Sequence, residues 1–186
     1  NPINFAIDPV YLCKQANAGS TWNSIALTGS LAAGATYVVA YSLNYFDTAY
    51  NVSANQYAGL VANFNGDDGV FLYYGGNNQT GILFDAFGEI NVLGDTTAWY
   101  YENGHAVRKR GVISSNDVWM AEEWSIVRNI NYDNMTPFLH AEDLTWQGTT
   151  STNWNTRGNN WSGAYGVVPD GSCIVTIPNV TNYPIV

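Results

Sequence analysis

An all-β fold is predicted by composition, by turn spacing and by the near absence of helical periodicity. Only 11% of the 186 residues are charged, while aromatics reach 15%, against roughly 25% charged residues in ordinary soluble domains. The chain is therefore poor in Glu, Lys and Arg, which favour helices, and rich in Tyr, Trp, Val and Thr, which favour strands. Gly and Asn clusters recur at the short intervals that separate strands of a sandwich.

The elements follow in order. Asn1-Pro2-Ile3-Asn4-Phe5-Ala6-Ile7-Asp8 reads as the middle of a β-domain, so a first strand is expected to be missing ahead of it. Such a vacancy would leave an unpaired edge open to a strand from another chain. Tyr37 to Tyr41 is an expected strand after the turn at Ala32-Ala33-Gly34-Ala35. Gly69 to Tyr74 is entered from Asn65-Gly66-Asp67-Asp68 and left through Gly75-Gly76-Asn77-Asn78, and Gly81 to Gly88 completes a hairpin with it. Ala106 to Arg110 and Trp124 to Val127 are later strands, and a single helical turn is expected near Asn55 to Val61. A boundary at 138/139 divides the sandwich, 1–138, from a Trp- and Asn-rich β extension, 139–186. The extension is too small to fold unaided and must pack on the sandwich or on a neighbour.

Charge and motifs exclude several function classes. A net charge of −9 with six Lys and Arg residues argues against nucleic acid, whose phosphates need basic groups. The basic run Arg108-Lys109-Arg110 reads as a solvated strand end among nearby acids. No apolar segment reaches the roughly 18 residues of a membrane span. The two histidines, His105 and His140, read as loop residues, and no nucleophile motif, phosphate loop or paired zinc-ligand motif occurs. The expectation is a protein without catalytic residues or cofactor.

Other candidates each have two readings. Asp67 and Asp68 are weak candidates for a Ca²⁺ site, and the competing role is to accept backbone N–H bonds in their own turn. Cys13 and Cys173 lie near opposite ends, outside any metal-ligand spacing. They are expected to be oxidised, within one chain or between subunits, with two buried thiols as the alternative. Trp146, Trp154 and Trp161 are candidate sugar-stacking residues, or else the extension's own core. The N-x-S/T matches at Asn51, Asn78, Asn160 and Asn179 are candidate glycan acceptors.

Several of these stretches together resemble a bacterial lamin-tail-type domain. The opening Asn-Pro-x-Asn-x-Ala-Ile-Asp at 1–8, the stretch Gly29 to Ala40, Asn65-Gly66-Asp67-Asp68-Gly69-Val70-Phe71-Leu72, and Phe84-Asp85-Ala86-Phe87-Gly88 carry the likeness, over about residues 1–130. The resemblance implies an immunoglobulin-like β-sandwich. The tail is similar to the opening of β-rich repeats in large secreted bacterial surface proteins. The resulting expectation is an extracellular or cell-surface structural protein that assembles with copies of itself as a filament, sheath or surface layer. Ile174, Val175, Ile177, Tyr183 and Ile185 are its expected assembly residues. The alternative is a carbohydrate-binding or adhesive accessory module, with polysaccharide as partner.

Overall fold

The structure is a computed structural model, and it describes residues 1–109, 112, 114–128, 143–149, 151–154, 160–162, 174–179 and 181–185. The described residues form an all-β protein built from small, mainly antiparallel sheets with little helix. Strand β1 (Ile3–Asn4) is followed by β2 (Val10–Gln15), β3 (Trp22–Ala26), β4 (Ser30–Leu31) and β5 (Val39–Ala40). Helix α1 (Leu43–Tyr50) leads to β6 (Gln56–Tyr57), β7 (Gly69–Tyr74) and β8 (Ile82–Phe87). Then come β9 (His105–Arg108), β10 (Trp124–Val127), β11 (Asp143–Trp146), β12 (Trp161–Ser162) and β13 (Ile174–Thr176).

The largest sheet is antiparallel with order β3-β2-β7-β8. The hairpin expected over 69–88 forms its β7-β8 half. Asn77 closes the connection, its side-chain oxygen accepting from the Gln79 N–H at 3.0 Å, the local bond that makes Asn a turn residue. The register shifts between Leu72 and Tyr73, which face Asp85 and Leu83, so Phe84 is the extra residue of a bulge. The opening segment is paired within the chain, with Ile3 opposite Leu31 in β1-β4.

Helix α1 was not expected from the sequence. Ser42 caps it by accepting from the Tyr45 N–H, and Asn51, at φ 54°, ends it in the left-handed region with its N–H on Asp47 O. Of the turn expected near 55–61, Gln56 and Tyr57 form β6 and pair in parallel with Val39 and Ala40, while Val61 and Ala62 donate to Ala58 O at 3.0 and 2.7 Å in a single helical turn. The strand expected over Tyr37 to Tyr41 contracts to those two residues.

Both faces of the large sheet are covered. One carries the buried Cys13, Phe71, Tyr73 and Ala86, with Tyr11, Trp22 and Leu83 packed against them. On the other, Phe87 lies at the centre of an aromatic group, its ring 6.2 Å from Trp99, 5.5 Å from Tyr101, 5.1 Å from Trp119 and 4.8 Å from Trp124. The approaches to Trp99, Tyr101, Trp119 and Trp124 are edge-to-face, the geometry that aromatic quadrupoles favour.

The residues 143–185 contain a small sheet of order β12-β11-β13. Trp146 and Trp161 are buried there and meet at 4.9 Å, while Trp154 meets Trp161 at 4.8 Å. The boundary expected at 138/139 lies outside the described residues.

Strands β9 and β10 pair antiparallel from Trp124–Arg108 to Val127–His105. Gly104 precedes β9 where a Cβ would stand 1.7 Å from Val127 O and 2.9 Å from the Arg128 Cα. Both neighbours are backbone, so only displacement of β10 could admit a methyl group. Gly104→Ala is therefore expected to lower stability by roughly 1–3 kcal/mol, read as a shift in the denaturant midpoint. An unchanged midpoint would contradict this close approach.

Candidate functional site

The feature of the large sheet best suited to contact another molecule is its edge at β3. Backbone bonds at Val10–Leu27 and Ala16–Thr21 set the phase of the β2-β3 ladder. In an antiparallel pair, bonded and non-bonded positions alternate. Leu12–Ile25 and Lys14–Asn23 are therefore the bonded pairs, and Trp22, Ser24 and Ala26 turn their N–H and C=O groups away from β2. Ala26 O is taken by the Gln56 side chain at 3.0 Å. Gln56 in turn accepts from Thr28 N at 3.1 Å and from the Tyr37 hydroxyl at 2.9 Å, closing that end of the edge. Among the described residues nothing pairs with the outward groups of Trp22 and Ser24.

The opposite edge is covered at Asp85 and Ala86. Ala86 N donates to Asn116 O at 2.9 Å, and the Asp85 carboxylate accepts from Asn116 N at 3.1 Å. That carboxylate also holds Arg108 at 2.7 Å, and Glu123 holds the same guanidinium at 3.1 Å. The guanidinium lies 4.8 Å from the Trp124 ring centroid, a cation–π contact. Burial acts to lower the Arg108 pKa, and the two carboxylates outweigh it and raise it. Arg108 is thus a mostly buried ion-pair partner, and not the solvated strand end read from the basic run. Arg110 lies outside the described residues. Beside this network a cavity of about 200 Å³ is lined by Leu12, Val70, Leu72, Phe87 and Trp124.

A second buried polar group ties the centre of the sheet to its loops. Lys14 and Asp68 are 6% and 3% exposed, with Nζ 3.6 Å from Oδ2. Lys14 also donates to Asn63 O at 2.7 Å, and Asp68 accepts from the Asn17 N–H at 3.1 Å. Gln15 donates to Gly19 O and the Asn91 side chain and accepts from the Asn91 N–H. These partners supply the bonds that a buried ion or amide requires. Lys14 and Gln15 were missed in the sequence. The available signal was an amine and an amide ending the otherwise apolar run Val10-Tyr11-Leu12-Cys13.

The structure separates the two acids of the turn. Asp68 accepts a backbone N–H, but from Asn17 beyond β2 and not from its own turn. Burial pushes the Asp67 carboxyl above its ordinary value, and the charge of Asp68 adds to this. No group of three or more metal-ligating side chains occurs among the described residues.

Cys13 is a buried free thiol whose pKa is raised by burial. Cys173 lies outside the described residues, and no disulfide joins the described ones. The bridge expected of the pair therefore has only its Cys13 half among the described residues, where the side chain enters the packed face beside Phe71. His105 lies in β9, half-buried, and His140 is outside the described residues.

Of the tryptophans with two readings, sugar stacking or the extension's own core, Trp146 and Trp161 take the core role. Trp146 is 0% exposed and Trp161 3%. Their indole N–H groups donate to Asn182 O and Trp154 O, and Trp154 is half-buried. A segment this small has few other large apolar side chains to bury. Of the candidate glycan acceptors, Asn160 is also fully buried, with its side-chain amide on Ser151.

Among the expected assembly residues, Ile174 and Val175 lie in β13, which pairs in parallel with β11. Ile185 exchanges backbone bonds with Thr152 and Trp154. Both runs are thus paired within their own chain, where the sequence suggested contact with a neighbour. The outer edge of β13 and the exposed side chains of Ile177, Tyr183 and Ile185 remain.

No protein-family model matches the chain, and no curated protein or solved structure matches it.

Two predictions follow from the buried groups. The raised Asp67 pKa means that its contribution to stability is full below about pH 4, the unfolded value. The contribution is then lost as pH rises through the folded value. Asp67→Asn is expected to melt higher than the parent at neutral pH and to lose that advantage below about pH 4; a lower melting temperature at neutral pH would assign the carboxylate a stabilising role. Cys13 is expected to resist a thiol reagent in the folded chain and to react on unfolding without reductant. A peptide map in which position 13 stays unlabelled after unfolding would place it in a disulfide.

Proposed function

We propose that this protein is an extracellular structural subunit that assembles with copies of itself by strand addition at the β3 edge. The observation that carries the reading is the backbone of Trp22 and Ser24, unpaired among the described residues, in an edge strand without guards. Proteins commonly protect edges with charge, proline or a bulge. The β3 sequence Trp22-Asn23-Ser24-Ile25-Ala26 has no charged residue and no proline, and its pairing with β2 is continuous. A strand laid along it would gain backbone bonds from both outward residues, with side chains alternating between the two faces. The outer edge of β13, with Ile177 nearby and 43% exposed, is the complementary surface we assign to the second copy. A contact between two different edges is head-to-tail, and one that does not close extends into a filament, sheath or layer.

The large sheet is read here as one layer of an immunoglobulin-like sandwich of lamin-tail type. The hairpin with its acidic turn, and Asp85 and Phe87 on β8, support that reading. An extracellular setting is supported by the low charge and by the abundance of Asn, Gly and Tyr.

Ser24→Pro tests the assembly. The Ser24 N–H faces away from β2, so proline removes an outward donor and leaves the β2-β3 bonds in place. The parent is expected to form polymers that grow with concentration in sedimentation and negative-stain microscopy. The variant should stay monomeric with an unchanged circular dichroism spectrum. A parent that is monomeric at every concentration, or a folded variant that polymerises as the parent does, would exclude the β3 edge.

A further inference from the structure

The mean position of β2 in the sheet buries a primary amine beside a carboxyl group. Lys14 Nζ stands 3.6 Å from Asp68 Oδ2, longer than the roughly 2.7–2.9 Å of a well-formed charge-assisted hydrogen bond. The two oxygens of Asp68 have different surroundings. Oδ2 faces the amine, whereas Oδ1 accepts the Asn17 N–H at 3.1 Å. The Asn63 carbonyl, 2.7 Å from Nζ, orients the amine from another side.

We infer that Lys14 and Asp68 condense into an intramolecular amide, a covalent cross-link between β2 and the residue that precedes β7. A proton passes from the ammonium to Oδ2, and the neutral amine then attacks Cγ. The Asn17 N–H receives the negative charge that develops on Oδ1, at the distance at which such donors act. The N–Cγ bond forms as the Cγ–Oδ2 bond breaks, and Oδ2 takes a second proton from the nitrogen and leaves as water. An ammonium and a carboxylate thus become an amide and one water, with no net change in protons or electrons.

In bulk water this condensation is opposed by the hydration of the two ions. Here folding has already removed most of that hydration, a cost of several kcal/mol per ion. Juxtaposed groups also react at effective concentrations of roughly 10⁵–10⁸ M. The cross-link would fasten the central strand to the acidic turn, and it does not depend on whether the chain polymerises.

Mass spectrometry of the folded, aged, then denatured and reduced chain tests the bond. The chain is expected to be lighter than its sequence mass by one water. Lys14 is the first lysine or arginine, and the next is Arg108, so trypsin should fail to separate 1–14 from 15–108. A chymotryptic digest should yield one branched peptide containing Lys14 and Asp68. Lys14→Arg and Asp68→Ala should each restore the full mass. A full mass in the aged parent overturns the inference. So does a loss of water with normal tryptic cleavage after Lys14, which would place a cyclic imide at Asp68-Gly69. The parent's peptide map decides the matter even if either variant fails to fold.

Discussion

Strand β2 is bonded on both sides, and this double ladder sets the positions of the other groups in the large sheet. Tyr11, Cys13 and Gln15 turn their backbone toward β7, and Val10, Leu12 and Lys14 turn theirs toward β3. Side chains alternate with the same period, so Cys13 enters the face of Phe71 and Tyr73 while Lys14 enters the other. A slip of one residue would exchange the faces and drive the amine into the Phe71 cluster. The loop groups that satisfy Lys14 and Gln15, from Asn17, Gly19, Asn63, Asp68 and Asn91, are arranged around that register.

The two edges of the sheet follow from what each neighbour can offer. On the β8 side, Asp85 recruits both the Asn116 N–H and the Arg108 guanidinium, which Glu123 and Trp124 hold in turn. These contacts cover backbone that would otherwise be open, and they bind the β9-β10 pair to the sheet. On the β3 side, among the described residues, only the Gln56 amide reaches across, and it stops at Ala26. The asymmetry leaves the outward backbone groups of Trp22 and Ser24 without a partner among the described residues.

The extension meets the same constraint with less material. Trp146 and Trp161 stack edge to face at 4.9 Å, and Asn160 is buried beside them on Ser151. An aromatic used in this way cannot also offer its face to a sugar ring. The apolar residues of β13 and of the segment around Ile185 are partly absorbed by pairing with β11 and with Thr152 and Trp154. The sequence could suggest that they needed a partner surface, but not that their backbone found one nearby.

The all-β class and the 69–88 hairpin were legible in the sequence because they depend on local alternation and turn chemistry. Helix α1 was missed because Ser42 and Asn51, which cap it, are ordinary loop residues until the chain between them is helical. Arg108 read as a solvated charge because Asp85 and Glu123 are distant in sequence, and only the folded arrangement of β8, β9 and β10 brings them within 3.1 Å. Likewise, whether a tryptophan is core or surface, and which strand edge is left open, depends on long-range pairing. Residue type and spacing determined the kinds of element. Tertiary structure decided which polar groups were buried and which edge stayed unpaired, because desolvation and backbone pairing depend on neighbours far away in the chain.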